Sequence, residues 1–379
     1  MNRGRTVFAQ LLEFVPISHF EHLVDVYQAN KGVSAFSAWS HFICLAYAQL
    51  TRRAGLRDLT ACLNAQRSKL YHVGIRGSVS RSTLADAAER RDYRLFEALG
   101  QRLITAALAL YGDEDIGLGL KGPVFAMDST TIDLCLSLFP WADFRQTKAA
   151  VKAHVIIDLR GAIPVFVSIT CGKVHDVRLL DDIRLPPGSI LVVDRGYLDF
   201  RRLFTLHQQY VGFVIRAKDN LRFAWVSAQP VDASTGLRAD QTIRLVTPKS
   251  KTDYPQPLRR VSFRDPETGK HLVFLTNLVE PPALTIAAIY KNRWQIELFF
   301  KWLKQNLAVN AVKAQIWIAV CTYLLVLIAI KHHRLPVSPQ IFLHLIETNI
   351  FEKITLDQLV ANAVLNECKP DMSKQLILL

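Results

Sequence analysis

The six cysteines of this 379-residue chain are scattered, with no two closer than eighteen positions. That spacing excludes a CxxC zinc knuckle and makes a reduced, cytoplasmic compartment the simplest setting. The eleven histidines offer no metal site either: His332 and His333 are adjacent, and His19 and His22 lie near an early helix, outside the usual ligand spacings. Any metal must therefore be held by carboxylates. A membrane span is missing as well. The longest apolar run, Ile316 to Ile330, includes Thr322 and Tyr323 and falls short of the roughly 20 residues a bilayer demands, so it predicts a buried core helix. No secretory signal is expected, since the first strongly apolar stretch comes after Arg3, Arg5 and several acids, and there is no internal repeat or low-complexity tract.

What the chain does have is positive charge. Forty-six Lys plus Arg against thirty-three Asp plus Glu leave +13 and a pI near 9.5, the balance of a protein that meets a polyanion. Residues 1–110 alone hold fourteen basic and eight acidic side chains. Apolar spacing there predicts a mainly helical domain over residues 1–115, with Arg52, Arg53 and Arg57 clustered. Ser78 to Arg91 combines N-cap hydroxyls with a compact helix carrying Arg81, which suits the second helix of a helix-turn-helix. Arg52, Arg53 and Arg81 are the candidate phosphate contacts of this domain.

A glycine-rich stretch from Gly117 to Pro123 marks the next boundary. Apolar runs of strand length follow at 124–127, 154–159, 163–169, 190–193 and 212–216, with a helix predicted over 200–209. Asp158-Leu-Arg-Gly161 reads as the hairpin turn between the second and third runs. This is the element order of an α/β, ribonuclease H-like domain, expected over 120–335 and followed by a helical tail, 336–379. Residues 217–282 form a surplus of short alternating runs, a β-rich insertion made basic by Arg222, Arg244, Arg259, Arg260, Lys249 and Lys251, with Phe223 and Trp225 interleaved. Asp128 and Asp194 each follow an apolar run, whereas Asp133, Asp143 and Asp176 lack that placement or a partner signature.

The segment Tyr290 to Lys304 carries polar residues at offsets 0, 3, 7 and 14. On one α-helix these offsets set Tyr290, Arg293, Glu297 and Lys304 within roughly 60° of one another, beside an apolar stripe of Ile289, Ile296, Phe300 and Leu303. The pattern resembles the Tyr-(2)-Arg-(3)-Glu-(6)-Lys signature of the insertion-sequence-four family of DDE transposases, and Asp128 and Asp194 stand where that family places its two aspartates. The resemblance implies that Asp128, Asp194 and Glu297 are catalytic and hold two Mg2+ ions, with Mn2+ able to substitute. It implies that Tyr290, Arg293 and Lys304 contact DNA, and it matches Lys148 and Lys152 to a basic block after the first aspartate. A cut-and-paste transposase follows, acting on the terminal inverted repeats of its own element, with target DNA, as a homodimer in a synaptic complex with a hairpin intermediate. The bacterial nucleoid is the expected location. Relatives carry a basic loop after the signature lysine, and here the junction 305–310 is shorter. The alternatives are a DNA-binding protein that has lost catalysis and a nuclease of the same fold.

Overall fold

The computed structural model describes residues 4–33, 35–53, 55–134, 143–145, 148–173, 175–305 and 312–367. The chain forms two compact units, one of Met1–Gly112 with Trp302–Leu379 and one of Asp113–Lys301.

The first unit is helical. Its N-terminal part contains α1 (Val7–Leu12), α2 (Ile17–Val26), α3 (Ala38–Leu50), α4 (Leu56–Ala65), α5 (Arg67–Leu70), α6 (Arg81–Arg90) and α7 (Arg94–Tyr111). Its C-terminal part contains α13 (Val312–His332), α14 (Pro339–Asn349) and α15 (Leu356–Glu367). Apolar on every face, α13 needs partners all round, and α3, α7, α1 and α14 pack against it. By length and composition α13 could cross a membrane, yet 94% of its apolar window is buried, as expected for a core helix. The sequence placed the end of the catalytic domain at residue 335 and set 336–379 apart. The compact units divide elsewhere, between Lys301 and Trp302, so that α13, α14 and α15 fall in one unit with the N-terminal helices.

The second unit is built on one ten-stranded sheet: β1 (Val124–Leu134), β2 (Asp143–Arg145), β3 (Lys148–Asp158), β4 (Ile163–Cys171), β5 (Ile190–Val193), β6 (Gly212–Arg216), β7 (Phe223–Gln229), β8 (Leu237–Leu245), β9 (Leu258–Arg264) and β10 (His271–Thr276). The order is β2-β3-β1-β5-β6-β10-β9-β8-β7, with β4 also on β3. β1, β5 and β6 are parallel, while β1–β3 and β3–β4 are antiparallel, the ribonuclease H-like arrangement. All four residues of β5 are buried, which is why it reads as an unbroken Ile-Leu-Val-Val run. The insertion adds its strands to the same sheet, because β10 pairs with β6. Helices α8 (Leu179–Asp182), α9 (Phe200–Gln208), α10 (Pro248–Asp253), α11 (Ala283–Lys291) and α12 (Trp294–Lys304) complete the elements. Of these, α12 runs across the boundary into the first unit. Asp158 does make the expected turn: its carboxylate accepts from the Arg160 amide at 3.0 Å and pairs with its guanidinium.

Candidate active site

β5 stops at Val193, and Asp194 is the next residue. In the parallel register Met127 lies opposite Val193, so Asp128 and Asp194 follow neighbouring positions at one level of adjacent strands. The sequence expected both aspartates at strand ends. Asp194 is so placed, but Asp128 lies within β1, which continues to Leu134 because β3 keeps pairing with it. The apolar run ends at Met127; the strand does not.

The signature is divided between two helices rather than carried on one. α11 ends at Lys291 and α12 begins at Trp294, with Asn292 and Arg293 between them. The amides of Arg293, Gln295 and Ile296 bond three residues back, to Tyr290, Asn292 and Arg293, which tightens the chain at the junction. Tyr290 therefore closes one helix, Arg293 occupies the break, and Glu297 sits in the first turn of the next. The expected apolar stripe of Ile289, Ile296, Phe300 and Leu303 is buried.

The break directs Arg293 at two carboxylates. Its Nη1 donates to Asp128 Oδ2 at 2.9 Å and its Nη2 to Glu297 Oε1 at 2.6 Å. The Tyr290 hydroxyl donates to Asp194 Oδ1 at 3.0 Å, and its ring packs on Phe274 with centroids 4.8 Å apart. Arg293 also lies over the Tyr290 ring, 5.6 Å from its centroid. One guanidinium and one phenol thus tie together side chains that are 66 and 103 positions apart in sequence.

Electrostatics follow from this crowding. Burial raises the Asp128 carboxyl above its ordinary range, and Asp194 and Glu297 add to the rise; the Ser129 amide, 2.8 Å from Oδ1, and Arg293 oppose it. Burial and then Asp194 push the Tyr290 phenol up to about 12, so it remains a donor. Burial works against the Arg293 cation, but Tyr290, Asp128, Glu297 and Asp194 together hold its pKa above the usual arginine value.

Among the described residues, no three His, Cys, Asp or Glu side chains stand close enough to hold a metal ion, and Arg293 is the cation joining Asp128 to Glu297. The donor set still fits a hard divalent cation. It is all carboxylate oxygen, and two of its members already face one positive charge.

Sequence reasoning passed over one group beside this site. Asp176 Oδ1 accepts from Ser129 Oγ at 2.6 Å, pairs with Lys152 Nζ at 3.1 Å and lies 3.7 Å from His154 Nδ1. Lys152, read from sequence as part of a basic block, is an ion-pair partner here. The Lys148 side chain and the shortened junction after Gln305 lie outside the described residues.

Lys304, Arg52, Arg53 and Arg81 belong to the first unit. Lys304 is exposed at the end of α12. Arg52 is held by Glu347 at 3.0 Å and His344 at 3.0 Å, with a left-handed φ of 53° just past α3. Arg53 faces Asp58 at 3.8 Å and has a buried, unpartnered Nε. Both arginines thus pair with acidic neighbours inside the helical unit, Arg52 with a glutamate nearly 300 positions away in sequence and Arg53 with an aspartate five positions on. Arg81 is exposed in the first turn of α6, whose N-cap is Ser80. α6 packs on α4, but the connection includes α5 and is longer than a helix-turn-helix turn. In the insertion, Arg259 is committed to Asp240 at 2.7 Å, while Trp225 is exposed.

On this ribonuclease H-like sheet Asp128 and Glu297 share one guanidinium while Asp194 accepts from Tyr290, an acidic, hydrogen-bonded cluster of the kind a phosphodiester-processing enzyme uses. The family description "Transposase DDE domain" matches residues 119–330, and "Domain of unknown function (DUF4372)" matches residues 3–76. The transposase y4zB of Sinorhizobium fredii is 31% identical over 71% of this chain and 77% of its own. A transposase for insertion sequence element IS5377 of Geobacillus stearothermophilus is 33% identical over 54% of this chain and 55% of its own. One for element IS4SA of a Synechocystis species is 25% identical over 82% and 88%. The chain belongs to the DDE transposase family, and its activity is that of a DNA transposase, cleaving and transferring DNA strands. Domains of this family generally use divalent metal ions.

Proposed function

We propose that the protein excises its own insertion sequence by cutting at the terminal inverted repeats and joining the freed ends to target DNA, as a homodimer in a synaptic complex. Asp128, Asp194 and Glu297 are the catalytic carboxylates and would hold two Mg2+ ions, or Mn2+ in their place. When bound, such ions activate an oxygen nucleophile and stabilise the leaving oxygen. The observation that carries this reading is the meeting of Arg293 with both Asp128 and Glu297 while Tyr290 holds Asp194.

The chain's own residues supply position and charge. Ser129 fixes Oδ1 of Asp128 through its amide, and Arg293 holds Oδ2. Arg293 balances the acidic cluster at rest, and its planar fork suits a DNA phosphate once its carboxylate partners are engaged elsewhere. The Tyr290 hydroxyl, kept protonated, orients Asp194. Lys304 offers a point charge farther along α12 for flanking phosphate, and exposed Arg81 another in the N-terminal unit.

Incubating the protein with DNA carrying the element's ends, with and without Mg2+, tests the reading. Metal-dependent cleavage followed by joining of a free 3′-OH end is expected. Cleavage without joining would make the protein a nuclease, and binding without cleavage a DNA-binding derivative.

A further inference from the structure

We propose that Asp176 is a positioning residue for catalysis, acting on Asp128 through Ser129; this rests on the reading of Asp128 as a catalytic carboxylate. Ser129 works in two directions at once. Its amide donates to Asp128 Oδ1 at 2.8 Å, and its hydroxyl donates to Asp176 Oδ1 at 2.6 Å. The residue that holds the Asp128 carboxylate is therefore itself held from the far side.

Asp176 is placed to make that anchor rigid. It opens a short helical turn, Asp176–Arg178, which packs against the turn Arg195–Tyr197 that directly follows Asp194. Its other partners, Lys152 and His154, stand on β3, where His154 is the register partner of Ser129 and Lys152 of Thr131. His154 is fixed in turn by Thr170 on β4 at 2.9 Å. The Asp176 carboxylate thus joins β1 to β3, and the turn it opens packs on the turn after β5; these are the three pieces whose relative placement sets Asp128 against Asp194.

Its charge would otherwise be a liability. A fourth carboxylate near an acidic trio adds repulsion, and the Lys152 ammonium at 3.1 Å offsets it where the side chain is about one-third exposed. A plain surface role does not account for the arrangement. Asp176 caps no helix, and an exposed aspartate needs neither a buried histidine nor a nearly buried lysine beside it.

The test uses the full chain and two readouts: Mn2+ affinity of the DNA-free protein by electron paramagnetic resonance, and single-turnover cleavage of a terminal-repeat duplex. Outer residues that orient ligands typically change metal affinity or activity by about 10–100-fold. Ser129→Ala, which alters no charge, is expected to weaken Mn2+ binding by about tenfold and to slow cleavage comparably, with DNA affinity unchanged. Ser129→Thr, keeping the hydroxyl, should restore both. Asp176→Ala should reproduce the Ser129→Ala losses, and the double variant should be no worse than the singles, because both remove one linkage. Wild-type Mn2+ affinity in Ser129→Ala, or losses that multiply in the double variant, would overturn the proposal. Should Asp176→Ala fail to fold, the Ser129 pair decides alone. A wild-type protein that binds Mn2+ but cuts no DNA would defeat the functional reading and leave the Mn2+ comparison standing.

Discussion

Tyr290 splits its duties between ring and hydroxyl, so a single oxygen can be removed without disturbing packing. Tyr290→Phe keeps the contact with Phe274 and loses the bond to Asp194. We expect a stability loss of only about 1 kcal/mol, the net worth of one such bond, alongside a roughly tenfold or greater fall in cleavage rate. Unchanged cleavage would show that Asp194 does not depend on the phenol. Asp128 gives a second expectation, from pH. Its folded pKa lies above the usual 3.8, so the folded state holds the proton more tightly than the unfolded state, and stability falls as pH rises through the window above 3.8. In metal-free urea unfolding, Asp128→Asn should therefore gain stability relative to wild type between pH 4 and 7. The opposite trend would mean that Arg293 overcompensates burial. The three carboxylates were legible in the sequence because an apolar run or a spaced signature frames each one. Asp176 was not, since its partners come from strand register and from a turn that no local pattern encodes.

At the scale of elements, the break between α11 and α12 was invisible to periodicity, because Tyr290, Arg293 and Glu297 keep helical spacing across it. At the break the amides of Arg293, Gln295 and Ile296 bond three residues back, and Arg293 turns toward two carboxylates. The strands were easier to read: runs of buried Val, Ile and Leu at 190–193 and 212–216 fall on β5 and β6. Close approach of α7 to α13 gives a further test. A Cβ on Gly100 would lie 2.9 Å from the Trp317 ring. Alanine gains up to about 1 kcal/mol in helix propensity, but overpacking costs about 1–3 kcal/mol, so packing prevails and Gly100→Ala should lower stability on balance. Thermal unfolding measures the sign; a higher Tm would show that the two helices can part without cost.

For the whole molecule, charge foretold a polyanion partner and the run pattern several domains, but not that α13, α14 and α15 would share one unit with the N-terminal helices. The helix α13 is apolar on every side and gives no directional signal for its partners. Its place predicts that residues 1–301 leave the helical unit without its core. That fragment should show protease-sensitive N-terminal helices by limited proteolysis, while the sheet of 113–301 stays protected; equal protection of both would contradict the two-unit account. The central claim is that Asp128, Asp194 and Glu297 act together as the cleaving centre. It is tested most directly by single-turnover cleavage of a terminal-repeat duplex at saturating protein, comparing wild type with Asp128→Asn, Asp194→Asn and Glu297→Gln after DNA affinity has been matched. The account predicts that each substitution abolishes metal-dependent cleavage and leaves end binding within a few-fold of wild type. Wild-type cleavage by any one of the three would contradict it.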